Sequence, residues 1–578
     1  MALTNIDITT RELYEDGESF GDSGQYERLD GVAHFTVDPS HPANAAITDL
    51  ELAERGGDGL VHFAADIVIL QPVEAGRANG NLLLHVPNRG RVPSVPFCAA
   101  TPPLTVSPRI EPGDGLLLRR GWTVAWVGWQ WDVIRRSAYL GLDAPMALDP
   151  DGRPLRGEVT VEFEPAVPHG YQRLAHWPLT PPPGNADFQH KAYPAADLTE
   201  ARAVLTARPS RYGKRTVIER ERWQFARLEG GAAIPDREHV LLDGGFQPGN
   251  IYEVRYTTDI CPVAGTGLLA LRDAVSFLRT DASPGNPAAG RIHHTFGFGV
   301  SQCGRLLRDF LFHGLNTNED GEAAFDGLLP FVAGARRGEF NVRFAQPSVQ
   351  HRPSDAHAPP FAPQAVAGAK PAGAGGLLDR QRAAGNMPKI FEINSASEYW
   401  RSEASLLHTD LEATRDTEPP PEERIYVFAG TQHGSGAALL TRQTVYGVKT
   451  ANYLCTVDYN APLRAAFLNL AAWVTNGTEP PPSIMPRISD GTAVPREQVL
   501  EVFRSVPSVL LSPKKLPRLR KPGDGDEAFP CLVSNVDEDG NEIAGIRTPA
   551  LTVPLGTHTG WNPHVPGIGK DGELVDML

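Results

Sequence analysis

Apolar runs and strict alternations divide this chain into four stretches. In the first 131 residues the strand signals fall at Gly31–Val37, Leu60–Leu70, Gly80–Val86 and Trp122–Trp129, separated by Gly, Pro and Asn. Between Asp132 and Gly249 the pattern loosens into proline clusters such as TPPPG at 180–184, a β-like GEVTVEFEP at 157–165 and a charged stretch at 214–229 that reads as helical. Strand and helix then alternate: a strand at Ile251–Thr257, a helix at Gly267–Arg279, an apolar strand ending at Ser301, a helix to His313, and a strand at 325–335. After an Ala/Pro/Gly-rich loop at 346–388 come a strand at Lys389–Asn394, a helix around Ser402–His408, a strand at Arg424–Ala429 and an amphipathic helix at Pro462–Asn476. Such alternation predicts a parallel sheet covered by helices. The expected organisation is N-terminal strands over 1–131, an insertion or lid over 132–249, an α/β core over 250–512 with its long loop at 346–388, and a C-terminal extension over 513–578 that packs on the core. No internal repeat is visible.

A chain of 578 residues exceeds the size at which one core stops growing, so insertions or a second domain are expected. With 41% hydrophobic and 21% charged residues it is compositionally an ordinary globular protein. The formal net charge of −15 repels phosphate backbones and anionic lipid, which argues against nucleic acid or a membrane as partner. No run approaches the ~18 apolar residues of a membrane span, and the opening MALTNIDITTRELYEDGESF lacks the basic and apolar segments of a secretory signal. Five scattered cysteines without C-x-x-C spacing suit a reducing compartment, so a cytoplasmic location is expected. Oligomeric state is not legible.

The candidate chemistry centres on RIHHTFGFGVSQCGR, residues 291–305, a short strand that runs into a serine among small residues and directly into a helix. A strained turn of this shape lifts a serine clear of the sheet, and Gly299 leaves room where a side chain would collide with the neighbouring strand. Ser301 is the candidate nucleophile. The glycine expected two residues on arrives one later, as Gly304, with Cys303 in its place. Downstream, Glu398 follows the strand PKIFEIN by the turn SAS, and His433 follows RIYVFAG by TQ. Strand ends on one side of a parallel sheet are where catalytic groups gather, and a hydroxyl needs a neutral imidazole oriented by a carboxylate to become nucleophilic. Rival acids are Glu392, Glu403 and Asp326; rival histidines are His408 and the pair His293 and His294, the pair lying at the wrong end of its strand. An oxyanion hole would use the backbone N–H of Gln302 and a second donor from HVPNRGR, where Asn88, Arg89 and Gly90 are all open.

Other features have two readings each. Trp129, within GWTVAWVGWQWD, lines an apolar pocket or fills the core. Arg336, Arg337, Asn341 and Arg343 either bind a substrate carboxylate or sugar hydroxyls, or pair with the excess acids. Cys303 is a packed small residue before it is a nucleophile, because it lies two residues past the apex. GDSG at 21–24 sits in polar sequence and reads as a turn. The Gly265, Gly267, Ala270 spacing lacks a ribose-binding acid, and no paired His and carboxylate spacing suggests a metal. No cofactor is expected.

Taken together, YERLDGVAHFTVDPSHPAN, IYEVRYTTDICPVAGTGLLALRD, GFGVSQCGR, FVAGARRGEFNVRFAQP, NSASEYWR, AGTQHG and the tail DEDGNEIAGIRTP…PLGTHTGWN make the chain resemble the large bacterial α/β-hydrolase-domain family of esterase-like proteins. The resemblance covers nearly the whole length. It implies an α/β-hydrolase fold with a mostly parallel sheet, a large insertion or lid, and additional β-rich N- and C-terminal segments. It also implies a hydrolase with Ser301, His433 and Glu398 as its catalytic residues but supplies no substrate; the triad chemistry itself leads us to expect a serine hydrolase that cleaves a small-molecule ester through an acyl-enzyme. Lactones, thioesters and amides fall to the same chemistry, and a silent, ligand-binding hydrolase-like protein is the reading from another class.

Overall fold

In the computed structural model the described residues are 2–98, 108–135, 139–165, 168–175, 190–209, 213–348, 359–363, 375–436, 439–444, 449–511, 516, 518–519, 521 and 527–563. The proline cluster at 180–184, residues 349–358 and 364–374 of the 346–388 loop, and part of the basic stretch KKLPRLRK at 514–521 lie outside them.

One large sheet organises the molecule. Its strands are β1 (Leu3–Leu13), β2 (Tyr26–Val37), β3 (Val61–Pro72), β4 (Asn81–His85) and β5 (Thr123–Val127). After the insertion, whose strands β6 (Gly157–Phe163), β7 (Val204–Arg208) and β8 (Ile251–Thr258) belong to another sheet, it continues with β9 (His294–Val300), β10 (Gly327–Phe331), β11 (Lys389–Ser395) and β12 (Glu423–Phe428). The order is β1-β2-β3-β5-β4-β9-β10-β11-β12. The first three strands and the β3–β5 junction are antiparallel, while every pairing from β5 to β12 is parallel.

Helices cover both faces, which is why the central strands are apolar almost without a break. Leu82 and Leu84 of β4 join the core beneath α1 (Thr266–Thr280) and α2 (Gln302–Phe312), whereas Leu83 between them joins the opposite core. That second core is capped by Phe467 and Leu470 of α4 (Asn460–Asn476), and a short α3 (Ala396–Arg401) follows β11. The tryptophan run is divided by the same pleat. Trp122 and Trp126 enter the α4 side, Trp129 the α1 side, and Trp131 a third core.

That third core belongs to the insertion. β8 pairs antiparallel with both β6 and β7, so the strand expected to open the α/β core is the central strand of a separate sheet. Its alternating buried Tyr252, Val254 and Tyr256 give it one apolar face, the mark of a half-exposed antiparallel sheet rather than a buried parallel one. The 214–229 stretch is not an α-helix, and its only helical turn is a 3₁₀ turn at Arg220–Arg222. It forms short strands at Thr216–Ile218, Trp223–Gln224 and Ala226–Glu229, because Trp223 and Phe225 bury on alternate positions and β-branched residues precede them. Tyr193 Oη and Trp131 Nε1 both donate to the Ala345 carbonyl, tying this sheet to the segment after β10.

The C-terminal residues build a fourth core around Trp400, Phe503 and Trp561 and bridge to β12 through Ile546. Two further sequence expectations shift here. The helix expected near 402–408 starts earlier, as α3, and is followed by a 3₁₀ turn at Ala404–Leu407. β1 has no counterpart in the sequence reading, since only Leu3 and Ile6 of it are buried. Among the described residues no helix is long and apolar enough to cross a membrane.

Phe467 is fully buried and stacks on Phe97 with ring centroids 4.2 Å apart. Phe467→Ala is expected to cost ~3–5 kcal/mol, the usual penalty for emptying a buried aromatic site. A lowered denaturation midpoint, read by near-UV circular dichroism, checks this.

Candidate active site

Three side chains meet at the carboxyl ends of the parallel strands. Ser301 follows β9, Glu398 lies in the first turn of α3 after β11, and His433 is in the loop after β12. His433 Nε2 is 2.9 Å from Ser301 Oγ, and Nδ1 is 2.6 Å from Glu398 Oε1. A carboxylate only accepts, so Nδ1 carries the proton and Nε2 is left to accept from the serine hydroxyl.

The backbone at Ser301 is strained, with φ 59° and ψ −112°, and its N–H donates to the Phe331 carbonyl of β10 (2.8 Å). The space around it is set by two glycines. A Cβ on Gly299 would lie 2.3 Å from the carbonyl oxygen of Cys303, so that glycine makes room for the first turn of α2 rather than for the neighbouring strand. Gly304 is the one that faces the neighbour, where a Cβ would sit 2.9 Å from the Phe331 oxygen. The displaced glycine of the motif thus lets α2 pack on β10. Cys303 is fully buried in the core, and burial pushes its thiol up to about 12, which removes it as a nucleophile.

Glu398 is oriented from both sides. Ser395 donates its N–H and its hydroxyl to Oε2, a capping box, leaving Oε1 to face His433 and, at 3.3 Å, Arg401 Nη2. Burial alone would raise this carboxyl; His433, Arg401 and Ser395 outweigh it and hold it below its ordinary value. Burial likewise lowers His433, with Glu398 opposing. At neutral pH the arrangement is therefore an ionised carboxylate beside a neutral imidazole.

The histidine loop is fixed by its surroundings. Tyr459 Oη donates to the His433 carbonyl (2.8 Å), Glu542 accepts the Gly430 N–H (2.8 Å), and Ala429 N–H donates to the Ile546 carbonyl (3.1 Å). Burial pushes Glu542 up to about 8, so it accepts that bond as a neutral carboxylic acid at pH 7.

Gln302 is the first residue of α2, where a backbone N–H has no intrahelical acceptor. Across from it the turn at 88–91 is pinned to the elbow by Asn88 Nδ2, which donates to the Val300 carbonyl (3.2 Å). Arg89 and Gly90 both have positive φ, 52° and 79°. A Cβ on Gly90 would lie 2.7 Å from the Leu140 carbonyl, so the glycine allows one stretch of chain to approach another closely. Trp129 supports the same turn from beneath. Its indole N–H donates to the Pro87 carbonyl (2.9 Å), and its ring packs at 5.5 Å on Phe340, which places it in the core.

The polar cluster after β10 is engaged by the protein itself. Arg336 forms a two-pronged pair with Glu403 (2.6 and 3.0 Å), Arg337 pairs with Asp309 (3.0 Å), and Arg343 pairs with Asp49 (2.8 Å). Asn341 is buried and bonded to Thr48, Ala46 and His313. Acids hold the three arginines, while backbone groups and His313 hold Asn341. The rival residues are placed elsewhere too: Glu392 pairs with Arg308, Asp326 with Arg279, and His408 bonds to Tyr399.

Sequence reasoning passed over Arg305. It lies one turn into α2, its N–H donating to the Ser301 carbonyl (3.0 Å). Its side chain is partly buried, its Nε is enclosed without an acceptor, and burial with the nearby Arg89, Arg336 and Arg401 pulls its pKa down to about 9, still cationic at neutral pH. The i+4 spacing from Ser301 was the available signal.

A sequence profile described as "Alpha/beta hydrolase domain" matches residues 197–573. The chain belongs to that alpha/beta hydrolase domain family. Its mostly parallel central sheet with covering helices and added β-rich segments agrees with the fold expected of it. A search of solved structures finds a glucuronoyl esterase from Solibacter usitatus at 9% identity, covering 68% of this chain and 71% of that one, with a TM-score of 0.24, a likeness too slight to carry an argument. No curated protein sequence matches significantly.

His433 is expected to titrate below 6.5, the value burial depresses. Since the Glu398 charge works against that depression, Glu398→Gln moves the imidazole pKa lower still. Nitrogen chemical shifts of His433 against pH check both directions.

Proposed function

We propose that this alpha/beta hydrolase is a serine ester hydrolase in which Ser301, His433 and Glu398 form the catalytic triad. The reading is carried by one observation, the single imidazole within hydrogen-bond distance of both the elbow hydroxyl and a buried carboxylate. In the first step Ser301 Oγ adds to the ester carbonyl carbon while its proton passes to His433 Nε2. The carbonyl–alkoxy bond then breaks, the proton leaves Nε2 for the departing oxygen, and an alcohol is released from an acyl-serine. Water repeats the sequence: its oxygen adds to the acyl carbon, its proton goes to Nε2, and the acyl–serine bond breaks with return of that proton to Oγ. Glu398 holds the imidazole in the required tautomer and stabilises it when it is charged.

The developing oxyanion would be met by the Gln302 N–H and a backbone N–H of the 88–90 turn. Both lie at strand ends flanking Ser301, and the Asn88 bond to Val300 fixes their spacing. A donor set of this kind costs no reorganisation when charge develops, and losing one member typically costs ~10²–10³ in turnover.

Purified protein is expected to hydrolyse 4-nitrophenyl acetate and butyrate, with kcat falling by about 10⁶ in Ser301→Ala and by about 10⁴ in Glu398→Gln. A fluorophosphonate probe should label wild type at Ser301. A wild-type rate no higher than that of Ser301→Ala, together with an unlabelled serine, would leave the ester-hydrolase reading without support. The kcat/KM profile should also have its acid limb below pH 6.5, because the neutral form of His433 is the base and its pKa is lowered.

A further inference from the structure

Four arginines lie near one another beside Ser301. Arg89 Nη1 donates to Asn88 Oδ1, whose amide holds Val300, one residue before the serine. Arg401 lies against Glu398, the partner of His433, and Arg336 Nη2 donates to the Arg401 carbonyl (3.1 Å). Arg305 stands one helical turn past Ser301 itself. Among the described residues, three acids near these arginines are already engaged. Glu403 is taken by Arg336 and also accepts the Leu519 N–H, Glu398 is shared by His433, Arg401 and Ser395, and Asp132, behind Arg89, accepts from Ser348 and Gln130.

Arg305 is left with no carboxylate among the described residues, although the chain carries 69 acids against 54 Lys and Arg. Its neighbours in α2 show the usual pattern: Arg308 is paired with Glu392, and Asp309 with Arg337. A half-buried guanidinium with its Nε enclosed and no anion is costly unless something arrives to pair with it. Its direction is informative as well. Helical side chains lean toward the helix N-terminus, so a residue ~6 Å further along α2 returns its head group toward the level of Ser301. A guanidinium presents a planar fork that matches a carboxylate in two parallel bonds.

We propose that Arg305, with Arg89 and Arg401 beside it, forms a carboxylate-binding subsite next to Ser301, and that the substrate is an ester bearing a second, free carboxylate a few bonds from the scissile carbonyl. This rests on the ester-hydrolase reading and specifies its substrate class. Both the acyl side and the leaving-alcohol side of such an ester pass close to the elbow, so the test separates them.

Values of kcat/KM are compared for 4-nitrophenyl hydrogen glutarate against 4-nitrophenyl valerate, which has the same acyl length without the charge, and for 4-acetoxybenzoate against phenyl acetate, which moves the carboxylate to the leaving group. One charged ester should be preferred over its neutral counterpart by about tenfold to a hundredfold, the range of a charge-assisted bond, and that ratio should collapse in Arg305→Gln and recover in part in Arg305→Lys. Whichever pair shows the preference identifies the side that carries the anion. An unchanged ratio in Arg305→Gln overturns the subsite. Should Arg305→Gln not fold, as judged by its circular dichroism, Arg305→Lys decides by the same ratio, since it keeps the charge and loses the fork. If no ester is turned over faster than by Ser301→Ala, it is the acyl-transfer reading that fails. The subsite is then judged by calorimetry with glutarate: saturable binding to Ser301→Ala that weakens about tenfold or more when Arg305→Gln is added supports it, and absence of binding overturns it.

Discussion

A single imidazole has to bridge groups that the sheet holds apart, and that requirement accounts for much of the surrounding architecture. Ser301 leaves β9 and His433 leaves β12, three positions away in the strand order, with β10 and β11 between them. At ~4.8 Å per strand the histidine loop must lean back across roughly 14 Å of sheet edge. A loop stretched that far would sample many positions if it were held only by its ends. Here it is held along its length, by Tyr459 from the start of α4 at the His433 carbonyl, and by Glu542 and Ile546 of the C-terminal region at Gly430 and Ala429. The C-terminal segment, which reads as an appendage in sequence, is on this view the brace that sets the reach of the histidine.

Glu398 solves the same problem on β11. It stands one strand from the histidine and is locked by a capping box, so the geometry that starts a short helix also points one carboxylate oxygen at Nδ1. Local helix chemistry and site chemistry share the same two residues. A carboxyl so deeply buried would ordinarily prefer to be neutral, and what keeps it charged is the convergence of His433, Arg401 and Ser395 on its two oxygens. Glu542 shows the opposite outcome a few residues away in space: with one N–H donor and no cation it is driven toward the neutral acid.

The strands and helices of the parallel half were legible because their signals are local. Apolar runs bounded by Gly and Pro located β4, β9, β11 and β12, and a 3.6-residue period located α1, α2 and α4. The candidate site was legible for a related reason, since its residues follow strand ends and a glycine-flanked serine marks one of them. What could not be read depended on partners distant in sequence. The alternation of β8 marks a strand buried on one face, but it does not name β6 and β7 as the strands it pairs with, which lie far upstream in sequence. The S-A-S-E at 395–398 was readable as a capping box, and taking it for a turn placed the following helix too late. The opening strand β1 escaped notice because its outward positions are polar and only two of its side chains reach the core.

The arginines mark where composition misled and geometry corrects it. A dense cluster at 336–343 draws the eye in sequence, yet in an acid-rich chain a dense cluster is also the one most readily neutralised, and Glu403, Asp309 and Asp49 have done so. Arg305 is solitary in sequence and for that reason was read only as the end of an elbow motif. Its backbone place is tied to Ser301, whose carbonyl accepts the Arg305 N–H one helical turn on (3.0 Å). An apolar residue there would have completed the α2 packing at no electrostatic cost. That a guanidinium occupies the position, while Arg308 and Asp309 on the buried side of the same helix each have a counter-ion, is a choice the fold itself does not require. It is the kind of local inconsistency that stable proteins retain at sites where a ligand supplies the missing partner.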